Sequence, residues 1–207
     1  MKDKLIIIGA SGHGKVIADI ATKMNKWKSI AYLDDDENIK SPMGLEVIGE
    51  TADAYIYKDE SDFFVAIGNN AIREEIQEKL LSRGFSVVKL VHPSAIIGTD
   101  VEIGIGTVIM AGVVINSSSK IGNGCIINTS CSLDHDNIIG DYVHISPGSN
   151  LAGTVSVGKG CWLGVGSVVS NNINICSGCK VGAGAVVIND MTEAGTYVGV
   201  PAKLIDN

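Results

Sequence analysis

The sequence predicts two successive architectures: a small parallel α/β sheet over residues 1–90, then a solenoid of stacked six-residue repeats over 91–192, followed by a tail at 193–207. Two observations carry this reading. An apolar run, a glycine turn and an amphipathic segment open the chain, and from Ile97 onward an aliphatic residue recurs at every sixth position.

In the first part, LIII (5–8) runs into GASGHG and then KVIADIATKM, where Val16, Ile17, Ile20, Ala21 and Met24 recur at helical spacing. This is a strand, a glycine turn and a helix. SIAYLDD (29–35) predicts a second strand that ends in acid. DFFVAIGNN (62–70) predicts a third, followed by the helix AIREEIQEKLLSRG with Gly84 as its stop, and FSVVKLV (85–91) predicts a further strand. Alternating β and α units of this kind make a small Rossmann-like parallel sheet, with ligands at the carboxyl ends of its strands.

The second part follows a stricter rule. Stepping by six from Ile97 gives Ile103, Ile109, Ile115, Ile121, Ile127, Leu133, Ile139, Ile145, Leu151, Val157, Leu163, Val169, Ile175, Val181 and Val187, all aliphatic. The position four after each is usually small, as at Val101, Thr107, Val113, Ser119, Cys125, Cys131, Val143, Ser149, Val155, Cys161, Ser167, Cys179 and Ala185. A sandwich has turns of varied length and cannot hold such a period, so identical coils must be stacked on one another. Gly104, Gly122, Gly140 and Gly158 each follow an aliphatic and fall in one column, where they ease the coil geometry.

Composition narrows the function. The net charge of -7, with no long Lys/Arg run, argues against nucleic acid as a partner. No apolar stretch is long enough for a membrane span and no signal-like opening is present, which points to a cytoplasmic protein. Residues 1–95 carry twelve of the sixteen Lys+Arg and fifteen of the twenty-three Asp+Glu. The bland second half suits packing against sister subunits.

The segments GASGHGKV, LDDD, AIGNN, HPSA, NTSCSLDHDNIIGDYVHISPGSNLAG and YVGVPAKLI together resemble bacterial acyltransferases built on hexapeptide repeats: the N-acetyltransferases of UDP-4-amino-4,6-dideoxy sugars and the related sialic acid O-acetyltransferases. The resemblance covers nearly the whole chain. It implies a left-handed parallel β-helix with three hexads per triangular coil of 18 residues, assembled as a homotrimer, with acetyl-CoA as co-substrate held between adjacent β-helices and a UDP-amino sugar bound by the first domain. It requires no metal.

Within that frame SLDHDNIIGDYVHIS (132–146) stands out, because it holds two of the four histidines and a D-H-D cluster in a repeat with few charges. His135 lies two residues after inward Leu133, on a corner, and His144 precedes inward Ile145, on a flat side. A neutral imidazole can take a proton from an attacking amine near neutral pH. In the resembling family the histidine at position 135 is the base and the acid after it assists, so Asp136, or else Asp134, orients His135. Stacking by 18 places Gly153 beside His135 and Trp162 beside His144. Gly153 is expected to donate a backbone N–H to the thioester oxygen. Asn128 is a cofactor or substrate contact, His144 faces the cofactor, and Trp162 either covers acetyl-CoA or marks a subunit seam. The two histidines are half a coil apart and should not touch within one subunit; in the trimer that the resemblance implies, a corner of one prism can face the side of its neighbour and bring both to one cleft.

In the first domain the glycine turn presents backbone N–H groups at a helix N-terminus, and Asp34 about 20 residues on suits a ribose hydroxyl. The resemblance assigns this pocket to the UDP-sugar, with Ser11, Gly12, His13, Asp34, Asp35, Gly68 and Asn69 as contacts. His13 either faces the diphosphate or caps the helix. Four of the five cysteines occupy small interior slots, and Cys176/Cys179 form an isolated CxxC; buried thiols argue against an acyl-enzyme and for direct transfer. Two other functions stay open: O-acetylation of sialic acid or a related sugar, and a catalytically silent ligand-binding scaffold. A three-histidine zinc site would need more histidine than the repeats contain.

Overall fold

The computed structural model describes residues 2–205 and divides into two compact units, up to Pro93 and from Ser94 on. In the first, β1 (Lys4–Ile8) lies between β2 (Ser29–Leu33) and β3 (Ser61–Val65), all parallel, with Ile6 opposite both Ala31 and Phe63. Two helices complete the βα units, α1 (Gly12–Met24) and α2 (Asn70–Ser82). Ile6, Ile8, Leu33, Phe63 and Val65 form the core with Leu80 and Phe85. α1 buries Ile17, Ala18, Ile20 and Ala21, whereas Val16, expected on that face, is exposed.

The strands are shorter than the apolar runs suggested. β2 stops before Asp34 and β3 before the Gly-Asn-Asn turn. The strand expected over 85–91 does not form as a unit: Val87 makes a single bridge to Phe63, and only Leu90–Val91 are extended together. Lys89 interrupts the apolar run, and a sheet of three short strands already covers its core.

The second unit is a left-handed parallel β-helix of triangular section. Each side is a two-residue strand, and each strand pairs with the one 18 residues away. The first face stacks Ile96–Ile97, Val114–Ile115, Ser132–Leu133, Asn150–Leu151, Val168–Val169 and Val186–Val187. Glu102–Ile103, Lys120–Ile121, Ile138–Ile139, Ser156–Val157 and Asn174–Ile175 form the second. Val108–Ile109, Ile126–Ile127, His144–Ile145, Trp162–Leu163 and Lys180–Val181 form the third, which continues into a hairpin of Thr196–Val198 and Lys203–Ile205. No helix among the described residues is long and apolar enough to cross a membrane.

The physical origin of the period lies at the corners. Every sixth residue from Asp100 to Gly184 has φ between +57° and +76°. A two-residue corner therefore closes each side through one left-handed residue, which favours Gly, Asn, Asp and small polar side chains. The column Gly104, Gly122, Gly140, Gly158 has a different cause from the one expected. Its φ values are ordinary, but a Cβ there would come within 2.4–2.8 Å of the next coil, most often of its backbone. These glycines provide room between coils, not conformational freedom.

The aliphatic column fills the prism, with Ile115, Leu133, Ile145 and Leu163 wholly buried. Leu133→Ala is expected to lower unfolding free energy by about 2–5 kcal/mol, and outward Ser132→Ala by no more than about 0.5 kcal/mol, as read by denaturant titration.

Candidate active site

The corner between the first and second faces carries His135 and Asp136. Asp136 takes the left-handed position, φ 58°, and its carboxylate turns back to the ring, with His135 Nδ1 and Asp136 Oδ2 2.7 Å apart. Asp134 does other work: its Oδ1 accepts the His135 N–H and the Asn116 side chain, both at 2.8 Å. Of the two flanking acids, Asp136 is the one on the imidazole. That hydrogen bond raises the His135 pKa above its ordinary value, against an opposing effect of desolvation and with smaller help from the charges of Asp134 and Asp136. With Nδ1–H donated to Asp136, the free lone pair sits on Nε2. The ring is about half exposed, so Nε2 can reach a ligand.

Gly153 occupies the same corner one coil on. A Cβ at 153 would lie 2.6 Å from both Cε1 and Nε2 of His135, so only glycine leaves the ring in place. Thr154 N–H donates to the His135 carbonyl at 2.9 Å, fixing the two turns together. Beside this corner a groove of about 330 Å3 runs over the first face, lined by Asn116, Ser132, Asp134, Asn150 and Ala152 among others.

A second cluster lies on the third face. Trp162 stacks on His144 with ring centroids 5.5 Å apart and planes 10° from parallel, and its Nε1–H donates to Ser146 Oγ at 2.8 Å. Asn128 Oδ1 accepts the Thr129 N–H, which turns its Nδ2 toward His144 Nε2 at 3.1 Å. The neutral ring therefore carries its proton on Nδ1. In a three-sided prism the corner between the first and second faces is opposite the third face. The structure thus brings His135, Asp136 and Gly153 together, and separately His144, Asn128 and Trp162.

In the first unit the glycines of the turn differ in their surroundings. A Cβ on Gly14 would sit 2.1 Å from the Gly9 carbonyl, and one on Gly9 2.9 Å from that of Ala66. These two are needed for the turn's own packing; Gly12 alone faces open space. Ser11 is the N-cap residue of α1 without a side-chain capping bond. Asp34 ties the turn to the end of β2 by accepting Ala10 N–H at 2.6 Å, and also accepts Asp36 N–H. Asp35 accepts Thr51 N–H at 2.7 Å. Asn69 caps α2 through Ile72 N–H. A cavity of about 520 Å3 opens beside Asp34, lined by Glu37, Lys40, Gly49, Glu50 and Asp53 among others.

His13 stands in the first turn of α1, its Nε2 buried and without a hydrogen-bond partner among the described residues. Burial, with a smaller effect of the Arg73 cation, pushes its pKa down to about 4, so it stays neutral at physiological pH. Sequence reasoning missed Arg73, which is fully buried and donates to the carbonyls of Ile67 and Gly68 and to Asn70 Oδ1. Its place in a charged helix disguised it as a solvent-facing residue. Among the described residues no group of three or more His, Cys, Asp or Glu is placed to hold a metal ion.

The backbone has close counterparts. Residues 4–80 match the family described as the PglD N-terminal domain. The acetyltransferase domain of PglB from Neisseria gonorrhoeae, solved with acetyl coenzyme A, superposes with a TM-score of 0.96 at 37% identity, over 99% of this chain and 100% of that one. The chain belongs to the sugar N-acetyltransferases of the left-handed β-helix class. PerB from Caulobacter crescentus, solved with CoA and GDP-perosamine, matches the chain at a TM-score of 0.92 and 38% identity, over 98% of this chain and 97% of that one. UDP-N-acetylbacillosamine N-acetyltransferase of Bacillus subtilis is 38% identical over 109 residues; the match takes in 51% of this chain and 50% of that protein, about half the length of the curated relative.

The histidine geometry is open to direct measurement. In NMR titration the His135 imidazole should titrate above the ordinary value of about 6.5, and Asp136→Asn should bring it back down. The His13 ring should titrate near pH 4.

Proposed function

We propose that this chain is an acetyl-CoA-dependent N-acetyltransferase acting on the amino group of a nucleotide-linked amino sugar, with a UDP-4-amino-4,6-dideoxy-N-acetylhexosamine as substrate and surface glycan as the destination. The observation that carries the reading is the corner cluster of an Asp136-oriented imidazole against Gly153. It supplies a base with its lone pair outward and a backbone N–H on the same corner.

The amine nitrogen attacks the thioester carbonyl, forming the C–N bond. His135 Nε2 takes the amine proton, and the ring's positive charge is stabilised by Asp136 through Nδ1. Gly153 N–H donates to the oxygen as it becomes an oxyanion. Collapse breaks the C–S bond, and the proton on His135 is available to the departing thiolate. A thiol acyl carrier is disfavoured on chemical grounds, since burial pushes Cys131 up to about 11 and Cys179 up to about 12.

The assembly is a homotrimer in the cytoplasm, with acetyl-CoA between adjacent β-helices. There the His135 corner of one copy faces His144, Asn128 and Trp162 of the next. The opposite placement of the two clusters on one prism supports this arrangement. The nucleotide sugar lies at the carboxyl ends of β1, β2 and β3, with Ser11, Gly12, His13, Asp34, Asp35, Gly68 and Asn69 around it. A neutral His13 can donate a hydrogen bond to the diphosphate. The Bacillus subtilis relative named above is an N-acetyltransferase, which favours an amine over a sialic acid hydroxyl as acceptor.

Incubation with labelled acetyl-CoA and a panel of UDP- and GDP-linked amino sugars and sialic acids should give label in an amide of an amino sugar; label in an ester alone overturns the reading. His135→Ala should lose about 10²–10⁴ in turnover, and a loss of only a few-fold removes it as the base. Because the base works neutral and its pKa is raised, kcat/KM should fall as pH drops through a point above about 6.5. Asp136→Asn should move that limb to lower pH while lowering the plateau.

A further inference from the structure

Asn137 breaks the rule of the small interior slot. It lies inside the prism, wholly buried, in the column of Val101, Ser119 and Val155. Elsewhere the slot follows a simple pattern: its side chain donates to the carbonyl 15 residues ahead, as Thr107 does to Gly122, Ser149 to Gly164 and Cys161 to Cys176. Asn137 makes the same bond, Nδ2 to the Ala152 carbonyl at 3.2 Å, and adds two. Its Nδ2 also donates to the Asp134 carbonyl at 2.6 Å, and its Oδ1 accepts the Val155 N–H at 3.2 Å. Ser119 Oγ reinforces the Asp134 carbonyl at 2.9 Å.

The consequence follows from peptide planarity. In a trans peptide the carbonyl and the next N–H point to opposite sides. Holding the Asp134 carbonyl inward turns the His135 N–H outward, where Asp134 Oδ1 accepts it. Holding the Ala152 carbonyl inward likewise turns the Gly153 N–H outward, on the side of the His135 ring. Among the described residues that N–H has no acceptor. One amide side chain therefore orients the peptide before His135 and the peptide before Gly153.

We infer that Asn137 is a positioning residue of the transfer reaction: from inside the β-helix it aligns the His135 imidazole and the Gly153 N–H with one another. This rests on the acetyl-transfer reading above. Asn137 touches no reacting atom itself; it sets the relative placement of a base and an oxyanion donor on neighbouring coils, where a misplacement of about 1 Å can cost on the order of 10²-fold in rate. The cost of burying an amide in an aliphatic prism is met by satisfying three of its four hydrogen-bonding positions.

The column itself supplies the test variants, since Val and Ser already stand in it at 155 and 119 and fit the coil. Asn137→Val should fold, keep KM for acetyl-CoA and for the amino sugar within about threefold, and lose roughly 10–100-fold in kcat. Asn137→Ser should restore the Ala152 bond by the pattern above and regain at least about threefold over the Val variant. By NMR the His135 titration should move down toward the ordinary value in the Val variant as its bond to Asp136 loosens, and the Gly153 amide resonance should shift. Turnover of the Val variant within about threefold of the parent overturns the inference, as does a loss that follows the unfolded fraction by circular dichroism and is not relieved by Ser. Should the parent acetylate no amino sugar, the functional reading falls alone. Unchanged His135 and Gly153 resonances in the Val variant then overturn this inference independently.

Discussion

The left-handed residue at every corner is the constraint on which the second unit depends. Each hexad must turn through a third of a circle within two residues, and one of them pays for it with positive φ, at a cost of roughly 1–2 kcal/mol where the residue is not glycine. Eight of the fifteen positions from Asp100 to Gly184 are glycine; the rest are Asp, Ser, Asn, Thr and one Tyr. Because every corner has the same length, residues 18 apart stay in register along the whole stack. That register lays Gly153 over His135 and Trp162 over His144 without any loop dedicated to the purpose. Asp136 turns the constraint to use: the strained position that the corner demands also folds its carboxylate back onto the preceding ring.

A second rule operates inside the prism. The carbonyl that follows each inward aliphatic points into the core wherever a slot residue can donate to it, which is why Thr, Ser and Cys are admitted among aliphatics. A buried acceptor left alone would cost more than the small polar side chain that satisfies it. The cysteines belong to this rule. Cys125, Cys131 and Cys161 donate to such carbonyls, and burial pushes the thiols of Cys131 and Cys161 up, which makes them poor thiolates. The imidazoles, by contrast, stand on the outer surface of the coil, where the proposed transfer would take place.

These rules decide what the sequence made legible. The aliphatic period fixed the solenoid, and position within the hexad alone placed His135 on a corner and His144 on a face. It could not choose between Asp134 and Asp136, because that depends on the φ of the corner residue, which a column of mixed Gly, Asp, Ser and Thr partly conceals. Nor did it identify Asn137, whose bulk makes it look like a lapse in the slot pattern when it is the slot's most fully bonded member. In the first unit, apolar runs overstated strand length: β2 ends at Leu33 before Asp34, β3 ends at Val65 short of Gly68, and of residues 85–89 only Val87 bridges the sheet. The tight packing of the turn was also not legible: Gly9 lies against the Ala66 carbonyl and Gly14 against that of Gly9. Arg73 was hidden by its neighbours, since a helix rich in Glu and Lys gives no hint that one of its cations faces inward.

The two surface clusters raise a question of symmetry that the prism itself frames. His135 with Asp136 sits on one corner, and His144 with Trp162 sits on the opposite face, so a single chain displays two halves that face away from each other. A twofold dimer would use the same patch on both copies and would join corner to corner or face to face. A heterologous contact joins corner to face, and it closes without leftover halves only if the copies form a ring. Three prisms side by side satisfy this, because successive copies related by a threefold axis parallel to the prisms each present a corner to one neighbour and a face to the other. In the trimer proposed above, the sparse charge of the second half suits that packing, and each cleft would combine the proposed base with the Trp162 ring. A corner working against a neighbour in that arrangement would have to be rigid before the neighbour arrives. The inward anchoring of Asp134 and Ala152 by Asn137 provides that rigidity from within the coil.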